Sequence, residues 1–398
     1  MSTTDEETKA LSEKVVIGVG LGLSAMLADL GHELGLYKAL GSHEGAQTAS
    51  ELAKRTDLVE RYVSDWLANQ LAAGFVSLVR PFEDPPRFYL SEAQKRVFLQ
   101  LEHPACQVAF LRFITGVGSN FVNRLPRDFR EGKGLSYEEN HPGIFQVRQL
   151  LRCKTPVERI INPLMRAFPA QLMERLTESA SELQGTRSPL VVVDVACGKG
   201  FILQQLAQRY PSNLYIGLDN YTAFLDIAKV QSAEFGLREN NPLFASADAH
   251  SVPALRDIPG IDVLWAALCP SRPLPSKVDV FILTDALHDL ADPLAALRSM
   301  RDQLAPESGV IVVHELGTKD PTLEALSAGE PMDLFLSAAV IGVCGPGAMV
   351  GRADGKPCSS ASLGTVAPDA KYFELGQLAG FANTTKVAER LFRYSFWR

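Results

Sequence analysis

The sequence predicts an α/β protein in which a mainly helical N-terminal part precedes a mostly parallel sheet covered on both faces. Three observations carry this. From Leu190 onward, short valine- and isoleucine-rich runs alternate with helical patterns, as in a parallel sheet flanked by helices. Before Leu190, apolar residues recur at helical rather than alternating spacing. At 398 residues, with 46% hydrophobic and 21% charged residues, the chain is long enough for two domains of ordinary globular composition. The expected organisation is a domain over 1–105, a helical connector over 106–187 and a larger domain over 188–398.

The first fourteen residues are acidic and polar, the reverse of a secretory leader. The apolar run over 15–28 ends at Asp29 and is shorter than a membrane span of about 20 residues. It reads as a buried helix, and a cytoplasmic location without membrane attachment is expected. Thr48 or Ser50 caps a short helix over 51–55. Thr56-Asp57 turns the chain into a second helix over 59–73, with Val63, Trp66, Leu67, Gln70 and Leu71 at helical spacing, closed by Gly74. Strands over 75–79 and 88–90 flank a proline-bounded turn over 81–86. Helix, turn, helix and hairpin form the winged-helix pattern.

A winged helix raises the question of DNA. The second helix carries Glu60, Arg61, Asp65, Asn69 and Gln70 and no net positive charge, and the whole chain has a net charge of −7. DNA readers expose basic and amide side chains to phosphates and base edges. Nucleic-acid binding is therefore disfavoured, and a dimerisation or lid role is expected for this module. Beyond it, Phe145, Leu150, Ile160, Leu164 and Phe168 mark long amphipathic helices in the connector.

The larger domain reads as a strand over 190–193, a helix over 201–209, a strand over 213–218, a helix over 222–235, strands over 243–245 and 278–283, a helix over 293–304, a strand over 309–313, and final strands over 385–387 and 391–397. A proline-rich stretch over 262–277 reads as an insertion. The segment over 320–372, with Met332, Phe335, Leu336 and Met349, reads as a lid or ligand-contacting insertion.

The chemistry concentrates where Val191-Val192-Val193-Asp194 runs into Ala196-Cys197-Gly198-Lys199-Gly200 and then a helix. Gly198 and Gly200 allow a tight turn and close ligand approach. The helix start offers bare amides and a positive dipole end, which suit a carboxylate. Asp194 can hold an ammonium group. Asp219, 25 positions after Asp194, can accept from two ribose hydroxyls or simply cap a helix. Asp248-Ala249 follows the third strand, within reach of an adenine amino group. The turn lacks the full GxGxxG spacing of a dinucleotide site. The six cysteines form no CxxC pair and read as reduced thiols, and no cluster shows metal-ligand spacing.

Together with Thr284-Asp285-Ala286-Leu287-His288-Asp289, these residues resemble a class I S-adenosylmethionine-dependent methyltransferase, with a Rossmann-like, mostly parallel seven-stranded sheet. With its winged helix, the chain is similar to bacterial winged-helix methyltransferases and to plant-type small-molecule O-methyltransferases. The resemblance implies S-adenosyl-L-methionine as cofactor, held by Asp194, Ala196, Cys197, Gly198, Gly200, Asp219, Asn220, Asp248, Ala249, Thr284 and Asp285. It implies His288 as general base, oriented by Glu315 in His314-Glu315-Leu316, although Leu290 stands where a tryptophan is usual. A small-molecule acceptor methylated on a hydroxyl oxygen is expected, with no metal, and the apolar N-terminal helices suggest a homodimer. Nitrogen or carbon acceptors, a cofactor-sensing regulator and a non-methylating enzyme that retains the cofactor are the alternatives.

Overall fold

The computed structural model describes residues 3–81, 83–140, 143–145, 157–178, 188–315, 327, 329–350, 363, 367–388 and 393–397. The chain forms two compact units, Met1–Arg124 with Asn140–Pro156, and Leu125–Glu139 with Val157–Arg398.

The first unit contains α1 (Thr3–Glu33), α2 (Leu36–Gly41), α3 (Ala49–Thr56), α4 (Glu60–Ala72), a hairpin of β1 (Ser77–Leu78) and β2 (Phe88–Tyr89), α5 (Glu92–Phe98) and α6 (Val108–Asn123). Thr48 caps α3 by accepting from the Glu51 amide, while the Glu51 carboxylate accepts from the Thr48 amide. This reciprocal pair satisfies two amides that the first turn leaves bare. The wing strands are shorter than the sequence suggests. Val76 leaves the hairpin for the core, and Pro81, Pro85 and Pro86 cannot donate ladder hydrogen bonds. Tyr37 organises the core: its ring stacks on Phe98 and meets Trp66 edge-on, and its hydroxyl donates to Gln70 Oε1 at 2.6 Å. Gln70 is fully buried and donates to the Ser24 carbonyl. It is a core residue rather than a surface reader.

The apolar run near the N-terminus is helical but not buried. It is the middle of a 31-residue helix whose Leu11, Val15, Val16, Ile17, Val19, Leu21 and Leu23 are all exposed. Among the described elements, α2, α4 and α6 pack against this helix, and burial is confined to Ser24, Ala28, Asp29 and Gly31. By length and composition alone, α1 and the helical stretch Pro331–Met349 are apolar enough to cross a membrane.

The second unit begins with α7 (Leu125–Glu131), α8 (Val157–Met165) and α9 (Ala170–Thr177). Then follow β3 (Val191–Val195), α10 (Phe201–Arg209), β4 (Leu214–Asp219), α11 (Thr222–Glu234), β5 (Leu243–Ser246), α12 (Ile261–Leu268), β6 (Val280–Thr284), α13 (Pro293–Gln303) and β7 (Val310–His314). The unit ends with α14 (Pro331–Ala339), a π-helical turn (Val340–Cys344), α15 (Gly345–Met349), α16 (Asp369–Leu378), β8 (Asn383–Ala388) and β9 (Arg393–Trp397). The sheet order is β5-β4-β3-β6-β7-β9-β8, parallel from β5 to β7 with β9 antiparallel to both neighbours. Alternate residues of each central strand feed two cores. Val191 and Val193 pack with Trp265 and Met300 on one face, and Val192 and Ile282 with Leu203 and Leu206 on the other. Burial on both faces explains the unbroken apolar runs.

Two segments read as insertions have structure of their own. Residues 262–277 include most of α12, whose Trp265 lies in the core and donates to the Arg272 carbonyl. Residues 331–349 are helical throughout. Pro346 has no amide to offer Gly342, four positions back, which breaks the α-helical ladder there; the Gly345 amide bonds to Val340 instead, as in a π-turn. Most of the remainder of 320–372 lies outside the described residues.

At the lower edge of the sheet, the Asn213 side chain accepts from the Leu190 amide and donates to the Leu176 carbonyl. Asn241 accepts from the Tyr215 amide and donates to the Asn213 carbonyl. Asp279 forms a two-point ion pair with Arg175 and accepts from the Val191 amide.

Candidate active site

The chain runs from β3 outward to β4 and β5, then returns to place β6 on the other side of β3. Parallel sheets open a crevice at the carboxyl ends of the strands at such a reversal. The predicted cofactor residues gather at that edge. Asp194, buried, lies opposite Gly217 and Ile282. Ala196, Gly198 and Gly200 all take positive φ, at 56°, 55° and 72°, so the turn after β3 is left-handed at three of five positions. Asp219 locks it: Oδ2 accepts from the Gly198 amide and Oδ1 from the Tyr221 amide, both at 2.8 Å. The Cys197 amide donates to the Leu218 carbonyl. Gln204 ties the turn to α11 by donating to the carbonyls of Lys199 and Ala228.

The two glycines differ. A Cβ at Gly200 would lie 2.5 Å from the Phe244 ring, so its bareness serves packing. A Cβ at Gly198 would meet nothing closer than Phe224 Cδ2 at 4.0 Å, so the turn is open on that side. Gly217 on β4, which the sequence reading passes over, is pressed against Phe244 and Cys197 and lets the turn sit low on the sheet.

Asn220 is exposed beside Asp219, and Ala249 is buried. Asp248 caps the short turn Ala249–Ser251 and accepts from His250 at both its amide and Nδ1. The Asp292 amide donates to His250 Nε2, so the ring proton sits on Nδ1. His250, also missed from sequence, thereby fixes Asp248. Thr284 lies opposite His314 at the ends of β6 and β7. Asp285 follows with φ 54° and donates its amide to the His314 carbonyl. Left-handed backbone at a residue other than glycine is strained, and such strain gathers at functional sites.

His288 and Glu315 meet in the interior, each 1% exposed. Glu315 Oε2 pairs closely with His288 Nδ1, while Oε1 accepts from the amides of Leu287 and Ala286. The other ring nitrogen, Nε2, is 3.1 Å from Asp289 Oδ1 and 4.0 Å from Asp285 Oδ1. Cys344 from the π-turn hydrogen-bonds the same ring. Burial alone would push the His288 pKa down, but the carboxylates of Asp289 and Glu315 outweigh it and hold it well above its ordinary value. Burial, aided by Asp289, pushes the Cys344 thiol up to about 12. Burial and the Glu315 charge raise Tyr372. The ring is therefore held between carboxylates on both nitrogens, whereas a general base needs one nitrogen turned to the acceptor. Cys344 and Tyr372 complete the cluster; neither was singled out from sequence, because both lie far along the chain from His288.

A methyltransferase-domain family model matches residues 187–332, which include the glycine turn and Asp219, and an Rv2258c-like winged HTH domain model matches residues 22–94. No curated protein sequence matches the chain. Solved structures match along its whole length. Mitomycin 7-O-methyltransferase is 15% identical over 99% of both chains, with a TM-score of 0.61. Human N-acetylserotonin methyltransferase in complex with SAM is 15% identical over 100% of this chain and 99% of its own, at 0.58. An O-methyltransferase family protein from Burkholderia thailandensis is 16% identical over 100% and 98%, at 0.57. At such identities the likeness is one of fold. With the domain matches, it makes this chain a winged helix-turn-helix domain followed by a methyltransferase domain.

Proposed function

We propose that the chain transfers a methyl group from S-adenosyl-L-methionine to a hydroxyl oxygen of a small molecule. The observation that carries this is the left-handed glycine turn, clamped by Asp219 and open at Gly198, beside the strand reversal. The residues fit the cofactor: Gly198 leaves room against the backbone, the α10 amino end favours a carboxylate, and Asp194 lies at the strand end for an ammonium group. Asp219 ends β4, where a carboxylate can meet ribose hydroxyls. When bound, the cofactor supplies an electrophilic methyl group on a sulfonium sulfur.

The chain's own part is to hold an acceptor in line and exclude water, which can provide much of the acceleration. His288, enclosed by Glu315 and Asp289, acts as a positioning residue: it fixes the turn after β6 and with it Asp285 at the crevice. The helical 331–349 segment supplies acceptor contacts. The hydroxyl class draws support from the two fold relatives described as O-methyltransferases. The exposed face of α1, and an apolar hollow of about 370 Å³ lined by Leu27, Leu30, Leu58, Val59 and Tyr62, support a homodimer joined through the first unit.

Calorimetry with S-adenosylmethionine and S-adenosylhomocysteine tests the reading. Binding by the unaltered protein is expected, with loss in Gly198→Val, and a panel of phenols, amines and carboxylates should include one that yields S-adenosylhomocysteine. No heat with either nucleoside sinks the proposal. Binding without turnover on any acceptor, together with salt-sensitive DNA retention, would favour the regulator instead.

A further inference from the structure

We propose that His288, Asp289 and Cys344 form a binding site for a zinc-class divalent cation, with Glu315 orienting the histidine from behind. The donor atoms of the three side chains lie within 4.8 Å of one another, and His288 Nε2 is 3.1 Å from Asp289 Oδ1. A tetrahedral zinc shell with bonds of about 2.0–2.3 Å has donor–donor edges of about 3.3–3.6 Å. The nitrogen–oxygen edge is nearly in place, and the sulfur needs at most a short inward movement.

The donor set is selective. One imidazole nitrogen, one thiolate and one carboxylate oxygen suit zinc, while a thiolate disfavours magnesium and calcium. The ligands bind as thiolate, neutral imidazole and carboxylate, so the cation displaces the thiol proton and any proton on Nε2. Three protein ligands leave one tetrahedral position for an oxygen of water or another small ligand.

The surroundings are those of a supported site. The Glu315 carboxylate meets Nδ1, the nitrogen that would not face the cation. A carboxylate behind a ligating histidine fixes ring orientation and raises its basicity. Glu315 is itself held by the amides of Ala286 and Leu287, which steadies the turn carrying His288 and Asp289. Cys344 is presented by the π-turn that Pro346 enforces, and single π-turns recur at functional sites. A second grouping, Asp285, His288 and Glu315, offers no sulfur, and its Glu315 is already engaged with Nδ1 of the same histidine. The spacing of the three ligands hides them from sequence patterns, since Cys344 follows Asp289 by more than fifty residues.

The inference rests on these donor atoms and not on the methyltransferase reading, so the two can fail separately. The test uses the full chain stripped of metal by a chelator, then titrated with Co²⁺ as a spectroscopic probe and with Zn²⁺ in equilibrium dialysis. One equivalent is expected to bind, with a thiolate-to-cobalt charge-transfer band. Cys344→Ser should abolish the band, Asp289→Asn should weaken binding, and Glu315→Gln should weaken it about 10–100-fold. Circular dichroism of each variant checks folding, and the band in the unaltered protein is informative even if a variant does not fold. No retained equivalent, no thiolate band, or unchanged affinity in a folded Cys344→Ser protein would overturn the site, whatever calorimetry finds for the nucleoside.

Discussion

Glu315 grips His288 from within the protein: one carboxylate oxygen meets Nδ1 while the other accepts the amides of Leu287 and Ala286. The carboxylate thus joins the end of β7 to the turn after β6. Removing one partner of a buried charged pair costs about 3–5 kcal/mol, because the other is left uncompensated. Glu315→Ala is expected to lower the urea midpoint of the second unit accordingly. Glu315→Gln, which keeps an acceptor for the two amides, should lose less. Equal losses in the two variants would show that the amides do not depend on this side chain.

The two turn glycines should separate in mutation. Gly200→Ala places a methyl group against Phe244 and should reduce both thermal stability and nucleoside affinity. Gly198→Ala meets open space, so its cost is confined to left-handed strain, about 1–2 kcal/mol, and to lost ligand approach. A Gly200→Ala protein that melts with the parent would contradict the packing account.

His32 gives the first unit an acid limit. Burial, and secondarily the charge of Arg112, lower its pKa from 6.5 to about 4. The ring stacks on Tyr37, and Arg112 is paired to Asp29 and Glu33 on the same helix. Unfolded, the ring takes a proton near pH 6.5; folded, it resists until about pH 4. This stability is whole above pH 6.5 and drains as pH falls towards 4, by about 2–3 kcal/mol after allowing for partial exposure. Urea midpoints of the parent and His32→Gln across that window check it. The variant should show a flatter pH dependence, and parallel curves would refute the assignment.

The dimer proposal makes α1 decisive. A Cβ added at Gly18, Gly20 or Gly22 would have nothing within 4 Å, and these glycines lie among exposed Val15, Val16 and Val19. Small residues along one helix let a second helix approach closely. Gly22→Leu or Val16→Glu should shift the protein towards monomer in light scattering after gel filtration. A monomeric parent, or a parent that sediments with lipid vesicles, would point to a different cover for this face.

What the sequence reveals follows from how local the information is. The glycine turn and the acidic strand ends, Asp194 and Asp219, were legible because each lies within a few residues of a valine-rich strand or its neighbour, whose direction is unambiguous. The wing was legible in order but not in length, since prolines shorten the pairing. Helix α12 was obscured by nearby prolines, although Ile261, Leu264 and Trp265 carry a helical spacing. The exposure of α1 could not be read, because hydrophobicity says that a face needs covering and not whether the same chain supplies the cover. The enclosure of His288 was also illegible: it depends on Cys344 and Tyr372 reaching it across the fold.

The asparagine pair under the sheet has a consequence for how this architecture tolerates change. Asn213 and Asn241 supply hydrogen-bond partners for amides at the starts of neighbouring strands, so the foot of the sheet is sealed by side chains at the end away from the glycine turn. The opposite rim can then accept new loops and altered contacts without the ladder fraying from its base. Innovation at one end is underwritten by two amide groups at the other.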